Sequence, residues 1–260
     1  MTATTFVIDL NSDLGEGFGP WRLAPDDDLM PLISSANIAC GFHAGDPRIM
    51  EHTVRQAKEL GVGIGAHPGY PDREGFGRRT MSATPDEVRT DVLYQIGAIA
   101  AFCRSAGVEL QHVKAHGALY NHAVKDAAIA EAIATAVKQF DPHLIFFVLP
   151  GSELEAAGEA AGLRLAREAF VDRGYLPDGS LVPRSRRDAV ITDHAMAVRR
   201  MVRLVREGVI ETVDGTELHL KADTICLHSD TPTALEIASA IRAAFDEAGI
   251  GVRPVGESRG

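Results

Sequence analysis

Cysteine is scarce in this chain of 260 residues: Cys40, Cys103 and Cys226 stand far apart, with no CxxC pair and no even-numbered set. A disulfide framework is thereby excluded, and a reducing compartment fits best. No apolar run approaches the ~20 residues that would span a bilayer. Basic residues are in deficit, 26 Lys and Arg against 36 Asp and Glu for a net charge of −10, which argues against nucleic acid as a partner. Met1 leads through Thr2-Ala3-Thr4-Thr5 into a strand-like run, without the basic and apolar regions of a secretory signal, so a cytoplasmic protein is expected. Repeats, low-complexity tracts, a Ser/Pro-rich linker and the phosphate-loop pattern GxxxxGK[ST] are all missing. Gly61-Val62-Gly63-Ile64-Gly65 lacks the later glycine of GxGxxG and lies on a strand, where it reads as close strand packing.

What is present is a 45% hydrophobic composition that can bury a substantial core, in a length close to the ~250 residues of a barrel of alternating strands and helices. Phe6-Val7-Ile8 opens a buried strand; Asp46 is the expected N-cap of a helix over 47–60, stopped by Gly61; and 62–66 is a further strand. Thr84-Pro85-Asp86-Glu87 starts a helix reaching about Ser105. Strands at 110–114, 144–149 and 163–170 then alternate with helices at 126–140 and 152–160. After an irregular stretch over 171–191 come a helix over 193–207, a hairpin turning at Asp214-Gly215, and a last strand-helix unit over 224–227 and 231–248. This order predicts an α/β fold, one domain over 1–260, with a single β/α barrel of about seven parallel strands plus a small hairpin.

The polar residues decide between a barrel and an open sheet. They recur just past the apolar runs, at Asp9 to Glu16, Asn37 to Asp46, His67, Lys114 to His116 and His228 to Asp230. An open sheet would gather them at one switch point, whereas a barrel brings the ends of first, middle and last strands to one mouth. Odd spacing sends Asp9, Asn11 and Asp13 to one side of an extended chain, and an acid inside a strand is costly without a partner. His43 and Asp46 bracket Ala44-Gly45, and Asp13, His43 and His67 are candidate donors to a divalent cation, although no HxH or HExxH pair marks a metal site. Lys114 and His116 point the same way; a buried lysine demands an anion, either Asp13, Glu16 or a substrate group. His228 with Asp230 reads as a base with its orienting acid, or Asp230 as a helix cap. In the loop over 168–184, Arg173 is suited to clamping a carboxylate, with Glu168 and Asp172 holding its guanidinium. Seven arginines between Arg184 and Arg206 read as solvated surface.

Together the segments Asp9 to Glu16, Ser35 to Pro47, Ala66 to Asp72, Val113 to Tyr120 and Glu168 to Tyr175 resemble the LamB/YcsF family, from about residue 7 to about residue 250. The resemblance implies a barrel of the glycosidase/deacetylase-like type and a part in the ATP-dependent opening of 5-oxoproline (pyroglutamate) to glutamate, with ATP and Mg²⁺ used in a complex with partner subunits B and C. A lactam opening of that kind needs a cation for the substrate carboxylate and oxyanion, groups that activate water, and a proton donor for the leaving nitrogen. The expected catalytic residues are Asp13, Glu16, His43, Lys114, His116 and His228, and the expected substrate-binding residues Asn11, Asp46, His67, Arg173 and Asp230. Two other readings stay open on the residues alone: a self-sufficient metal-dependent deacylase, and a non-catalytic scaffold of a larger complex.

Overall fold

The strand β1, Phe6–Leu14, carries the organising feature of the fold, an alternation of inward acids and amides with outward leucines. Asp9, Asn11 and Asp13 turn into the barrel, while Leu10 and Leu14 join the main apolar core between barrel and helices. A computed structural model describes residues 6–183, 185–230 and 233–256. The first five residues, Arg184 of the arginine-rich stretch and the expected helix start at Thr231-Pro232 lie outside the described residues.

Along the chain follow α1 (Asp26–Leu29), β2 (Ser35–Ala39), α2 (Pro47–Leu60), β3 (Gly63–His67), α3 (Pro85–Ala106), β4 (His112–Val113), α4 (Gly117–Ala123), α5 (Ala127–Phe140), β5 (Ile145–Val148), α6 (Glu153–Ala161), β6 (Arg164–Phe170), α7 (His194–Glu207), β7 (Val209–Glu211), β8 (Glu217–His219), β9 (Thr224–Leu227), α8 (Ala234–Ala248) and β10 (Ile250–Val252). The helix signals act as read. Asp46 accepts from the backbone N–H groups of Arg48 and Ile49 ahead of α2, and Gly61 ends that helix in the left-handed region at φ 68°. Thr84 and Glu87 form a reciprocal capping box at α3, with Pro85 at its first position.

Seven parallel strands run in the order β1-β2-β3-β4-β5-β6-β9 and close where β9 returns to β1. The expected barrel with a separate antiparallel hairpin, β7 on β8, is therefore what forms. An eighth strand, β10, pairs with Phe6–Ile8 of β1, just below the Asp9–Ser12 segment that pairs with β9. Neither β10 nor α4 is foreseen in the sequence: three residues after a helix carry no period, and the short α4 follows the Lys114-Ala115-His116 motif directly. The first strand also runs on to Leu14, beyond the Phe6-Val7-Ile8 run that announces it. Ser12 Oγ donates to Leu227 O at 2.6 Å and Ser229 Oγ to Asp13 O at 2.6 Å, side-chain latches that hold β1 and β9 in register at the closure. Among the described residues no helix is long and apolar enough to cross a membrane.

The barrel interior is polar to an unusual extent for such a fold, where branched aliphatics normally fill the layers. Ile145, Phe147 and Ala166 form a small apolar cluster there, with Val255 against it. At the bottom, Asp9 accepts from Ser34 Oγ (2.7 Å), Ser35 Oγ (2.6 Å) and Thr224 Oγ1. Burial nevertheless raises its carboxyl from 3.8 to about 6, against the opposing effect of these hydrogen bonds. One layer up, His112 Nε2 donates to Asn37 Oδ1 at 2.8 Å, and Asn37 Nδ2 donates to Asn11 Oδ1 (2.8 Å) and Asp13 Oδ1 (2.9 Å). The imidazole of His112 fits because residue 65 is glycine: a Cβ there would sit 2.1 Å from His112 Nε2.

Two expectations follow. Gly65→Ala should lower stability by about 1–3 kcal/mol through overpacking, seen as a loss of several degrees in Tm; an unchanged Tm would mean that the His112 ring has somewhere else to go. Asp9→Asn tests the polar layer by pH. Because the folded pKa lies above 3.8, neutral Asp9 favours the fold at low pH and that contribution is lost as pH rises through about 6. Chemical denaturation should therefore show the stability of Asp9→Asn relative to the unsubstituted protein improving by roughly 2–3 kcal/mol between about pH 4 and about pH 8. A pH-independent difference would refute the raised pKa.

Candidate active site

A cavity of about 350 Å³ opens where the parallel strands end, so its floor is set by the last inward-facing residue of each strand. Asp13 and Glu16 reach it from the end of β1, His67 from β3, Lys114 and His116 from just past β4, Phe170 from β6 and His228 from just past β9. The loop after β6 adds Arg173 and the segment 180–183 as a wall, and Arg78 and Asp230 stand at the rim.

Lys114 is the centre of the floor. The residue is only 3% exposed, and its ammonium lies 3.0 Å from Asp13 Oδ1 and 2.9 Å from Glu168 Oε1, and donates also to Asn11 Oδ1 (3.2 Å) and Cys226 Sγ (3.0 Å). Burial disfavours the ammonium, but Asp13, Cys226 and Glu168 together hold it well above the ordinary lysine range. For Asp13 the balance mirrors this: burial would raise its carboxyl, and His67 and Lys114 outweigh it, keeping it well below the usual carboxylate range. The thiol of Cys226 is pushed well up by burial, against the lowering effect of Lys114, and is no nucleophile in this state. Two buried carboxylates thus share one buried cation.

Beside it stands a cluster of three imidazoles around Glu16. His43 Nε2 lies 3.1 Å and His116 Nδ1 3.2 Å from Glu16 Oε1, and His67 Nε2 lies 3.1 Å from His116 Nδ1 and 3.3 Å from Asp13 Oδ2. The rings of His43 and His116 stack with centroids 3.7 Å apart. Burial, and then the neighbouring His116, push His43 down to about 3, so that it is neutral and donates Nε2–H to Glu16. Burial would raise the Glu16 carboxyl, but the neighbouring His116 and His43 lower it far below its usual value. Gly77, at φ 62°, makes room for the stack: a Cβ there would meet His116 at 2.7 Å and His43 at 2.8 Å.

On the opposite wall His228 Nδ1 donates to Asp172 at 2.8 and 3.1 Å, and its ring stacks on Phe170. Burial works against its charged form, yet Asp172 prevails and raises its pKa. Arg173 Nε donates to Ala189 O at 3.2 Å and Nη2 to Val182 O at 2.6 Å, which ties the guanidinium into the loop wall while it faces the cavity.

Several expectations are corrected by these positions. The orienting acid of His228 is Asp172; Asp230 pairs instead with Arg78 across the rim. Asn11 is fully buried beneath the floor, where its amide spans Thr224 and Lys114, so it positions the lysine and does not line the cavity. Asp46 caps α2, accepts from Gly19 N at 2.7 Å and borders a separate depression with Arg22 and His52. His43 sits behind His116 and does not line the cavity. Lys114 pairs with Asp13 as expected, but its second anion is Glu168 and not Glu16. Glu168 pairs with Lys114, and Asp172 accepts from His228. The period of two along β6 was the available signal: Glu168 and Phe170 alternate inward, and Asp172 follows in step.

The arginine-rich stretch behaves as surface, with Arg203 paired to Glu207 at 2.9 Å and to Glu217.

Comparison with known proteins gives the geometry a lineage. The chain is 55% identical over 250 residues, 96% of each chain, to the A subunit of 5-oxoprolinase from Methylococcus capsulatus. It is 51% identical to the A subunit of 5-oxoprolinase from Pyrococcus furiosus over 96% of this chain and 98% of that one. Among solved structures, the lactam utilization protein of Thermus thermophilus superposes with a TM-score of 0.91 at 51% identity, covering 95% of this chain and 98% of the other. The model of the LamB/YcsF family matches residues 8–260, and the chain belongs to that family.

Proposed function

We propose that this chain is the lactam-binding barrel of an ATP-dependent 5-oxoprolinase, the A component of a complex with subunits B and C that opens 5-oxoproline to L-glutamate, coupled to ATP hydrolysis in the presence of Mg²⁺. The observation that carries the reading is a lysine ammonium at the floor of a small cavity, held by two carboxylates among groups suited to proton transfer, in a chain whose relatives at 51–55% identity are named for this component. A γ-lactam is a resonance-stabilised amide. Phosphoryl transfer from ATP to its carbonyl oxygen makes the ring carbon attackable by water; the carbon–nitrogen bond then breaks, the nitrogen takes a proton, and a second water cleaves the acyl phosphate so formed, releasing phosphate and the new side-chain carboxylate. Lys114 stabilises the charge that develops on oxygen. His228, its Nδ1–H held by Asp172, protonates the leaving nitrogen from Nε2. Arg173 faces the substrate carboxylate. Asp13, Glu16, His67 and His116 form the lone-pair-rich side against which the water is polarised. The chain has no phosphate-binding loop motif of its own, so the nucleotide is assigned to the assembled complex.

The test is glutamate formation from 5-oxoproline by the purified chain, alone and with its two candidate partners, with and without ATP and Mg²⁺. Turnover is expected only with partners and ATP. Robust ATP-dependent turnover by the chain alone would overturn the division of labour, and ATP-independent amide hydrolysis would favour a self-sufficient deacylase.

The lysine is tested separately. Lys114→Met leaves Asp13 and Glu168 buried without their cation and should cost about 3–5 kcal/mol of stability together with activity. Replacing Glu168 by Gln in the same chain removes one of the two orphaned charges, so the double variant Lys114→Met/Glu168→Gln should regain much of the lost Tm. Its turnover should stay at least a hundredfold down, about 2.7 kcal/mol in the barrier. Near-normal turnover in the refolded double variant would reduce Lys114 to a structural ion.

A further inference from the structure

At the floor of the cavity three acceptor atoms converge in the tautomers that the surrounding backbone imposes. His67 Nδ1 lies 2.8 Å from Lys114 O and His116 Nε2 lies 2.8 Å from Phe76 O. A carbonyl oxygen only accepts, so both of those ring nitrogens carry hydrogen, and in a neutral ring the other nitrogen is a bare lone pair. Those lone pairs, His67 Nε2 and His116 Nδ1, face each other at 3.1 Å. Glu16 Oε1 completes a triangle, 3.2 Å from His116 Nδ1 and 4.0 Å from His67 Nε2. All three side chains are largely buried, so the repulsion between them is only weakly screened.

We propose that Glu16, His67 and His116 bind one divalent transition-metal ion of the zinc type. A triangle with those edges has a centre about 2.0 Å from every corner, the bond length zinc takes to imidazole nitrogen and carboxylate oxygen. Two nitrogens and an oxygen suit zinc, cobalt or nickel better than magnesium or calcium, which prefer oxygen alone. Both imidazoles also show the outer contact usual for metal-bound histidine, the remote N–H on a backbone carbonyl. For His116 that contact is built at a cost: Phe76 is the one described non-glycine residue with positive φ, 54°, and its carbonyl meets the ring.

The ligand set differs from the one suggested by sequence. His43 is excluded because its Nδ1 is buried without a hydrogen-bond partner; metal on Nε2 would turn that atom into an orphaned donor. His43 instead orients Glu16 by donating Nε2–H. Asp13 is already committed to Lys114 and Asn37, with its other oxygen 3.3 Å from His67 Nε2, so it borders the ion's site. The inference concerns the cavity described above but rests on donor geometry alone, and holds whether or not the substrate is a lactam.

The test is metal uptake by the full chain, stripped with chelator and titrated with Zn²⁺ by calorimetry and with Co²⁺ by visible absorption. One equivalent of each is expected, with a Co²⁺ band characteristic of low-coordinate nitrogen and oxygen ligation, and a higher Tm when zinc is bound. His67→Ala, His116→Ala and the near-isosteric Glu16→Gln should each weaken Zn²⁺ by at least about a hundredfold, beyond the range seen for outer-shell changes. Should an alanine variant fail to fold, Glu16→Gln and the Co²⁺ spectrum of the unsubstituted chain decide. No stoichiometric uptake, or equal affinity in the folded variants, would overturn the proposal and leave a shared proton between the two rings. Because uptake is measured without partners, ATP or 5-oxoproline, its failure is distinguishable from failure of the lactam reading.

Discussion

A single ammonium inside the barrel, that of Lys114, conditions nearly everything else in the upper half of the molecule. Asp13 and Glu168 come from strands on either side of the β9 closure, and each would be prohibitive to bury as an ion on its own. With the lysine between them, donating also to Asn11, and with Asn37 donating to Asp13, the two carboxylates become the means by which β1, β4 and β6 are tied across the interior. The arrangement costs stability relative to an aliphatic layer of the same volume. It stands in a barrel whose interior holds no more than a small apolar patch among the described residues.

The same balance of burial against partnership runs through the histidines. His43 is neutralised by burial and by His116, while His228 is driven the other way by Asp172. A charged imidazole is thus favoured on one wall of the cavity, while the histidine behind the opposite wall is held neutral. Glycines make this density possible: residues 65 and 77 are spaces into which the rings of His112 and His116 project, and no larger residue could stand there without moving them.

The sequence by itself determined the barrel. Alternating periods of two and near four, strong helix starts at Asp46 and Thr84, and polar residues at the ends of first, middle and last strands are local properties, legible because each depends on neighbours within a few positions. The gathering of Asp13, Glu16, His67, Lys114, His116 and His228 around one mouth follows from that topology, since parallel strands of a barrel all end on one side.

What only the tertiary structure decided is who faces whom. Asp172 goes to His228 while Asp230 turns out to Arg78; Glu168, and not Glu16, is the second anion of Lys114; Asn11 and His43 drop behind the surface they were expected to line. Periodicity tells which side of a strand a residue takes, and nothing more. Its partner across the barrel is fixed by strand stagger and closure, here by Ser12 and Ser229 holding β1 against β9, and a pairing over 216 positions of chain leaves no mark in the spacing of either residue's neighbours. For the same reason the left-handed Phe76 that aims a carbonyl at His116 is invisible in sequence: its strain is supported by contacts that exist only once the barrel has closed.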